Sequence, residues 1–224
     1  MYRSIVGALQ YLTMTRPDIT YAVNQLCQFM HAPKNSHLAA VKRILRYLKG
    51  TLGLGLSFRA SSDFSLTAYS DADWAGCPDD RRSTTGSCIF LGPNLISWSS
   101  KKQPTVSRSS AEAEYRAVAL TTADLHWIQF LVKDVGLFTV STPRLFCDNI
   151  SATYLAINPI LHSRTQHIEI DYHFVRERVA RGALLVQYVS TKDQIADLFT
   201  KGLSSVRYRF LRDKLSLCSS PRSA

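Results

Sequence analysis

Four carboxylates stand where chemistry could be built. Asp71 ends a predicted strand, and Glu114 lies in the first turns of a long predicted helix. Asp148 ends a second strand, and Asp197 follows Asp193 in a late helical stretch. Acids at the edges of separate α/β elements can converge at the carboxyl end of a sheet. Once together they repel, and each raises the others' pKa unless a cation neutralises them. An all-oxygen donor set with no His or Cys pattern suits a hard cation, Mg²⁺ or Mn²⁺. Two such ions about 3.5–4 Å apart can clamp the attacking and leaving oxygens of a phosphodiester. Each acid also has an ordinary structural role. A strand-end Asp commonly caps the following helix, and an early helical Glu satisfies the helix dipole. The sequence gives where the acids lie; their convergence is an expectation.

The elements that must position them follow from periodicity. After Gly50, residues 52–58 and 66–71 read as strands. Residues 86–91 and 95–99 flank Gly92-Pro93-Asn94 and read as a hairpin. A long helix opens near Ser109 or Ser110 and runs to about Val135, with glutamates in its first turns. A strand over 144–148, a helix over 151–157, a helix over 168–181 ended by Gly182, and a strand over 183–189 complete the pattern. Helices are expected over 193–200 and 206–215. Strands grouped before a long helix, then alternating with helices, indicate a mixed α/β layer arrangement.

Residues 1–50 read differently. Helices are expected over 4–14 and 17–31, the second with Pro17 at its first position. A third should be capped by Asn35 or Ser36 and closed by Gly50, with Leu38, Val41, Ile44, Leu45 and Leu48 as its apolar stripe. Its other face carries Lys42, Arg43, Arg46 and Lys49, which reads either as a phosphate-gripping stripe or as a solvated surface. Three helices this short should lean on something else to bury a core.

The net charge of +10 is unevenly spread. Residues 1–59 hold eight Lys/Arg and one acid, 60–200 hold thirteen and fifteen, and 201–224 hold six and one. Basic flanks around an acidic centre suit a polyanionic partner. No apolar run is long enough to span a bilayer, and the N-terminus has no signal-peptide pattern. The five cysteines have no CxxC pairing, which disfavours both a disulfide framework and a zinc ribbon. An intracellular setting is therefore expected, neither secreted nor membrane-bound. His162, His167 and His173 lack the register of a zinc site and are read as structural, and His31 and His37 as surface residues. Trp98 in an alternating strand reads as core, while Lys101 and Lys102 could contact a nucleic-acid backbone.

The residues around the acids are more specific than the acids themselves. Tyr69-Ser70-Asp71-Ala72-Asp73-Trp74-Ala75-Gly76 resembles the first acidic strand of the ribonuclease H domain of copia-type LTR retrotransposons. Arg82-Ser83-Thr84-Thr85-Gly86, Ile96-Ser97-Trp98-Ser99-Ser100-Lys101-Lys102-Gln103, Ser107 to Tyr115, Phe146-Cys147-Asp148-Asn149, His167 to Glu177 and Asp193 to Lys201 follow in the family's order. Residues 2–19 resemble the end of the same elements' reverse transcriptase. The resemblance implies a ribonuclease H-like mixed five-stranded sheet flanked by helices over 60–201. A thumb- or connection-like helical module over 1–59 would precede it, and a C-terminal helix and tail over 202–224 would follow.

It also implies an activity: two-metal hydrolysis of the RNA strand of an RNA/DNA hybrid, using two Mg²⁺ ions or Mn²⁺. Asp71 matches the first acid and Asp148 the third. Glu114 matches the second better than Glu112, and Asp197 the fourth better than Asp193. Asp71 and Asp148 would hold the metals, with Glu114 on one and Asp197 on the other. The upstream reverse transcriptase would be a further partner, and a cytoplasmic virus-like particle or the nucleus the place of action. Two departures stand out. The loop Val189-Ser190-Thr191-Lys192-Asp193 lacks the His that cellular relatives often carry, and the polymerase's Tyr-x-Asp-Asp motif is absent. The alternative is a catalytically silent relic that only binds nucleic acid or a partner.

Overall fold

The computed structural model describes residues 1–137, 141–158 and 169–219. In chain order the elements are α1 (Tyr2–Leu12), a 3₁₀ turn (Pro17–Ile19), α2 (Thr20–Cys27), α3 (Asn35–Gly50) and β1 (Leu54–Leu56). Then come β2 (Leu66–Asp73), β3 (Thr84–Leu91), β4 (Asn94–Lys102), α4 (Ser110–Asp134), β5 (Arg144–Cys147), α5 (Ile150–Ile157), α6 (Glu169–Ala180) and β6 (Leu185–Tyr188). Two 3₁₀ turns (Thr191–Asp193 and Ile195–Phe199), α7 (Ser205–Arg212), a last 3₁₀ turn (Asp213–Leu215) and β7 (Leu217–Ser219) end the described chain. These form two compact units: residues 1–58 with the C-terminal segment from Ser204, and Arg59–Leu203.

In the first unit, Val6 and Leu9 of α1, Val23 and Leu26 of α2, and Val41, Ile44 and Leu48 of α3 bury one apolar core with Ile19. The i, i+3, i+4 spacing that predicts these helices also supplies this core. Leu45, placed on that stripe by the sequence, is instead 41% exposed. Neither Asn35 nor Ser36 caps α3; the cap position is Lys34, whose backbone N–H is accepted by His37 Nδ1 at 3.0 Å. Gly50 is the last helical residue rather than the cap, which is Thr51. The expected strand over 52–58 shrinks to β1, which pairs antiparallel with β7. The C-terminal segment, expected as a separate tail, therefore packs within this unit, and Leu211 and Leu215 are fully buried.

The second unit is built on a five-stranded sheet of order β4-β3-β2-β5-β6. β2, β3 and β4 are antiparallel neighbours; β2/β5 and β5/β6 are parallel. This is the mixed five-stranded, helix-flanked sheet that the resemblance implies. The β3–β4 hairpin turns at Gly92, whose φ of +54° and close approach to the Asp63 carbonyl favour glycine. Leu66 and Ala68 of β2 pack with Tyr115, Val118, Leu125 and Ile128 of α4, Leu145 of β5, and Tyr172 and Val175 of α6. Ala72 continues that face against Ala113 and Ala117. Alternation then turns Asp71 toward the opposite face of the strand.

The expected helix over 193–200 is instead two 3₁₀ turns. Ile195, Ala196, Asp197, Leu198 and Phe199 are all buried, so no polar face remains for an amphipathic helix. Gly86 of β3 lets this turn approach: a Cβ there would lie 2.8 Å from Phe199 Cβ and 2.9 Å from the Ala196 carbonyl.

Candidate active site

The four acids come from four elements of the Arg59–Leu203 unit. Asp71 is on β2. Asp148 follows the last residue of β5, whose parallel register sets Phe146 beside Tyr69, two residues before each acid. Glu114 is in the second turn of α4, which Ser109 caps by accepting the Glu112 N–H at 3.2 Å. Asp197 is carried by the buried 3₁₀ turn.

One oxygen each of Asp71, Asp148 and Asp197 lie within 4.8 Å of one another, and Asp148 also groups with Glu114 and the Cys147 thiol within that distance. Asp71, Glu114 and Asp197 are only 1%, 7% and 3% exposed. The Thr200 hydroxyl donates to Asp71 Oδ2. The Thr191 hydroxyl donates to Asp148 Oδ2 at 2.9 Å. The Cys147 thiol donates to Glu114 Oε2 at 3.8 Å. The Lys201 ammonium enters the group, with Nζ 2.7 Å from Asp197 Oδ1 and 3.2 Å from Asp71 Oδ2.

The electrostatics follow from burial and crowding. Burial raises the Asp71 carboxyl, Lys201 opposes this, and Asp197 adds to it. Glu114 is pushed up to about 10, first by burial and then by the charges of Asp71 and Asp148. Burial also pushes the Cys147 thiol up, with Glu114 adding to it. Three buried carboxyl groups and the half-buried Asp148 are thus crowded together at a cost to their ionisation, and all four offer oxygen donors. That donor set fits a hard divalent cation.

The neighbouring acids are used otherwise. Glu112 is bound by Arg116 at 2.8 Å and accepts the Arg108 N–H, so it serves the helix start. Asp193 is exposed. Asp73 accepts the Thr84 N–H, and burial raises its carboxyl to about 6. Asp80 lies in the turn before β3, paired with Arg82 at 2.7 Å and Lys102 at 2.8 Å. Lys102 is thus largely committed to Asp80, while Lys101 is exposed. Lys42, Arg43, Arg46 and Lys49 are all exposed on α3 of the other unit. His37 stacks on Phe29 at 3.8 Å between ring centres, and His31 and His173 are exposed. His162 and His167 lie outside the described residues. All five cysteines are free.

The chain is 54% identical over 222 residues to the retrovirus-related Pol polyprotein from transposon RE1 of Arabidopsis thaliana, and 52% identical over 222 residues to that from transposon RE2 of the same plant. Each match covers 99% of this chain. The chain belongs to the copia-type, retrovirus-related Pol polyproteins. It spans about 15% of the length of these two Pol polyproteins. No family model matches it. Among solved structures it is similar to a ribonuclease H1 isolated from compost, at 16% identity, covering 61% of this chain and 93% of that one with a TM-score of 0.46. No described helix is long and apolar enough to cross a membrane.

Sequence reasoning missed the residues that hold the acids in this Pol fragment: Thr191, Thr200, Lys201 and Cys147. Thr200 and Lys201 end the quoted Asp193–Lys201 motif, and the i, i+4 spacing of Asp197 and Lys201 was the available signal.

Proposed function

We propose that the Arg59–Leu203 unit hydrolyses the RNA strand of RNA/DNA hybrids, with Asp71, Glu114, Asp148 and Asp197 holding divalent metal ions. The observation that carries this reading is the crowding of Asp71, Asp148 and Asp197 oxygens within 4.8 Å, with Glu114 grouped on Asp148. Folding alone gives no reason to crowd carboxyl groups at one buried spot, where each opposes the others' ionisation. Asp71, Asp148 and Asp197 would hold one Mg²⁺ or Mn²⁺ ion, and Glu114 with Asp148 would contribute to a second; the ions would supply Lewis-acid stabilisation of developing charge.

The chain's own residues supply the rest. Asp71 and Asp148, on adjacent parallel strands, fix the spacing of the donor oxygens. Glu114 enters from the helix and Asp197 from the 3₁₀ turn, so both are set by the packing of different elements. Thr191 orients Asp148 and Thr200 orients Asp71. Lys42, Arg43, Arg46, Lys49 and Lys101 are exposed cations suited to phosphate contacts. Discrimination of RNA from DNA would come from contacts to 2′-hydroxyls beside the cut.

The test is cleavage of a labelled RNA/DNA hybrid in Mg²⁺ or Mn²⁺ by the wild type, Asp71→Asn and Glu114→Gln. Removing a ligand worth several kcal/mol of charge stabilisation should slow cleavage by roughly a thousandfold. The RNA strand should be lost with wild type, while duplex DNA and single-stranded RNA are spared. A folded wild type that binds the hybrid but leaves it intact would refute the enzyme and leave the binding-only relic.

A further inference from the structure

Lys201 has no task in that reaction, yet it makes the tightest ionic contacts in the site. Its ammonium is 2.7 Å from Asp197 Oδ1 and 3.2 Å from Asp71 Oδ2, and the Thr200 hydroxyl donates to the same Asp71 oxygen. The two carboxylate side chains are 5% and 2% exposed, but the lysine side chain is 40% exposed. The lysine thus neutralises a buried acid pair while its stem reaches solvent. A lysine ammonium is a compact point charge on a flexible four-carbon stem, able to fill such a position and to leave it.

We propose that Lys201 is a built-in counter-cation that competes with divalent metal for the Asp71–Asp197 pair, so that metal entry displaces the ammonium toward solvent. The inference rests on the metal-holding part of the proposed function and deepens it. Without a cation, Asp71, Asp148 and Asp197 oxygens within 4.8 Å repel. Lys201 relieves that repulsion in the metal-free protein and, by the same contacts, opposes metal. Losing it should therefore weaken the metal-free fold and strengthen metal binding together. A lysine serving only as a surface ion pair would lower stability equally with and without metal.

The test is Mn²⁺ titration calorimetry on the whole chain, comparing wild type with Lys201→Met, Lys201→Gln and Lys201→Arg, with thermal midpoints in EDTA and in saturating Mn²⁺. Removing a unit charge a few ångströms from a divalent ion should tighten Mn²⁺ binding about tenfold or more in the Met and Gln variants. Their midpoints should fall in EDTA and rise further than wild type on adding Mn²⁺. Lys201→Arg, which keeps the charge, should stay near wild-type affinity. Lys201→Gln keeps a polar donor near the acids and carries the test if Lys201→Met does not fold. Equal Mn²⁺ affinity in wild type and the folded neutral variants would overturn the competition and leave the metal site standing. No Mn²⁺ binding by any of the proteins would overturn both.

Discussion

Each unit buries a charged cluster, and the two are built on opposite terms. In the first unit Asp18 is held by Arg16 through two parallel hydrogen bonds, at 2.9 Å from Nε and 2.7 Å from Nη2. The Tyr47 hydroxyl donates to Asp18 Oδ2 at 2.6 Å, and the Tyr208 hydroxyl donates to the Asp18 carbonyl at 2.9 Å. The guanidinium also reaches the Thr51 carbonyl and hydroxyl. One negative charge meets one positive charge, and most polar atoms are satisfied. In the second unit four acids crowd together, and Lys201 is paired with two of them, Asp71 and Asp197. Buried charge that is fully paired and hydrogen-bonded can serve the fold alone. Buried acids crowded together weaken the fold, and strongly shifted titrating groups gather at functional sites.

The largest break in that comparison is Asp18→Ala. It leaves Arg16 buried, only 5% exposed, without its counter-charge. Breaking one side of a buried pair typically costs about 3–5 kcal/mol. The Asp18 carboxylate also anchors Tyr47, so the loss should reach α3. Chemical denaturation of the variant should show that loss, and adding Mn²⁺ should not recover it. Recovery by metal would mean that the first cluster, too, is a cation site.

The next break acts on the crowded acids by pH. Glu114 is held up to about 10, against its ordinary 4.5. The folded chain therefore keeps a proton that the unfolded chain releases between those values. That stabilisation is complete below about 4.5 and is lost as pH rises through about 10, at up to about 1.4 kcal/mol per pH unit. In EDTA the thermal midpoint of the second unit should fall as pH rises from about 5 to 9, and Glu114→Gln should flatten that slope. An unchanged slope in Glu114→Gln would assign the pH dependence to another group.

The same contrast explains what could be read in advance. The helices of the first unit and most strands of the sheet were legible because their apolar residues repeat at 3.6 or 2. The four acids were legible because each stands at an element end inside a recognisable motif. The Arg16–Asp18 pair was not. Its residues are two apart across Pro17, and the partners that complete it, Tyr47 and Tyr208, lie 29 and 190 residues from Asp18. The pairing of β1 with β7 failed to show for the same reason, since it joins Leu56 to Leu217. Asp193–Thr200 looked helical because Asp193, Asp197 and Lys201 recur at helical spacing. Packing against Gly86 buries every residue from Ile195 to Phe199 and selects a tighter turn.

The finest test compares two glutamates two residues apart. Glu112 and Glu114 share a helix start, and sequence alone favours the second only through its motif. Glu112 is paired with Arg116 four residues on, with side chains 11% and 15% exposed, and it also accepts the Arg108 N–H. Glu114 is instead pushed up by burial and by the nearby charges of Asp71 and Asp148. Glu112→Gln removes a helical i, i+4 ion pair and keeps a side chain able to accept the same N–H, so it should cost about 0.3–0.5 kcal/mol. Hybrid cleavage by Glu112→Gln should stay within about twofold of wild type, since a change of that size is small against a factor of ten per 1.36 kcal/mol. A loss of cleavage in Glu112→Gln as deep as that in Glu114→Gln would mean that pairing does not separate the structural acid from the functional one.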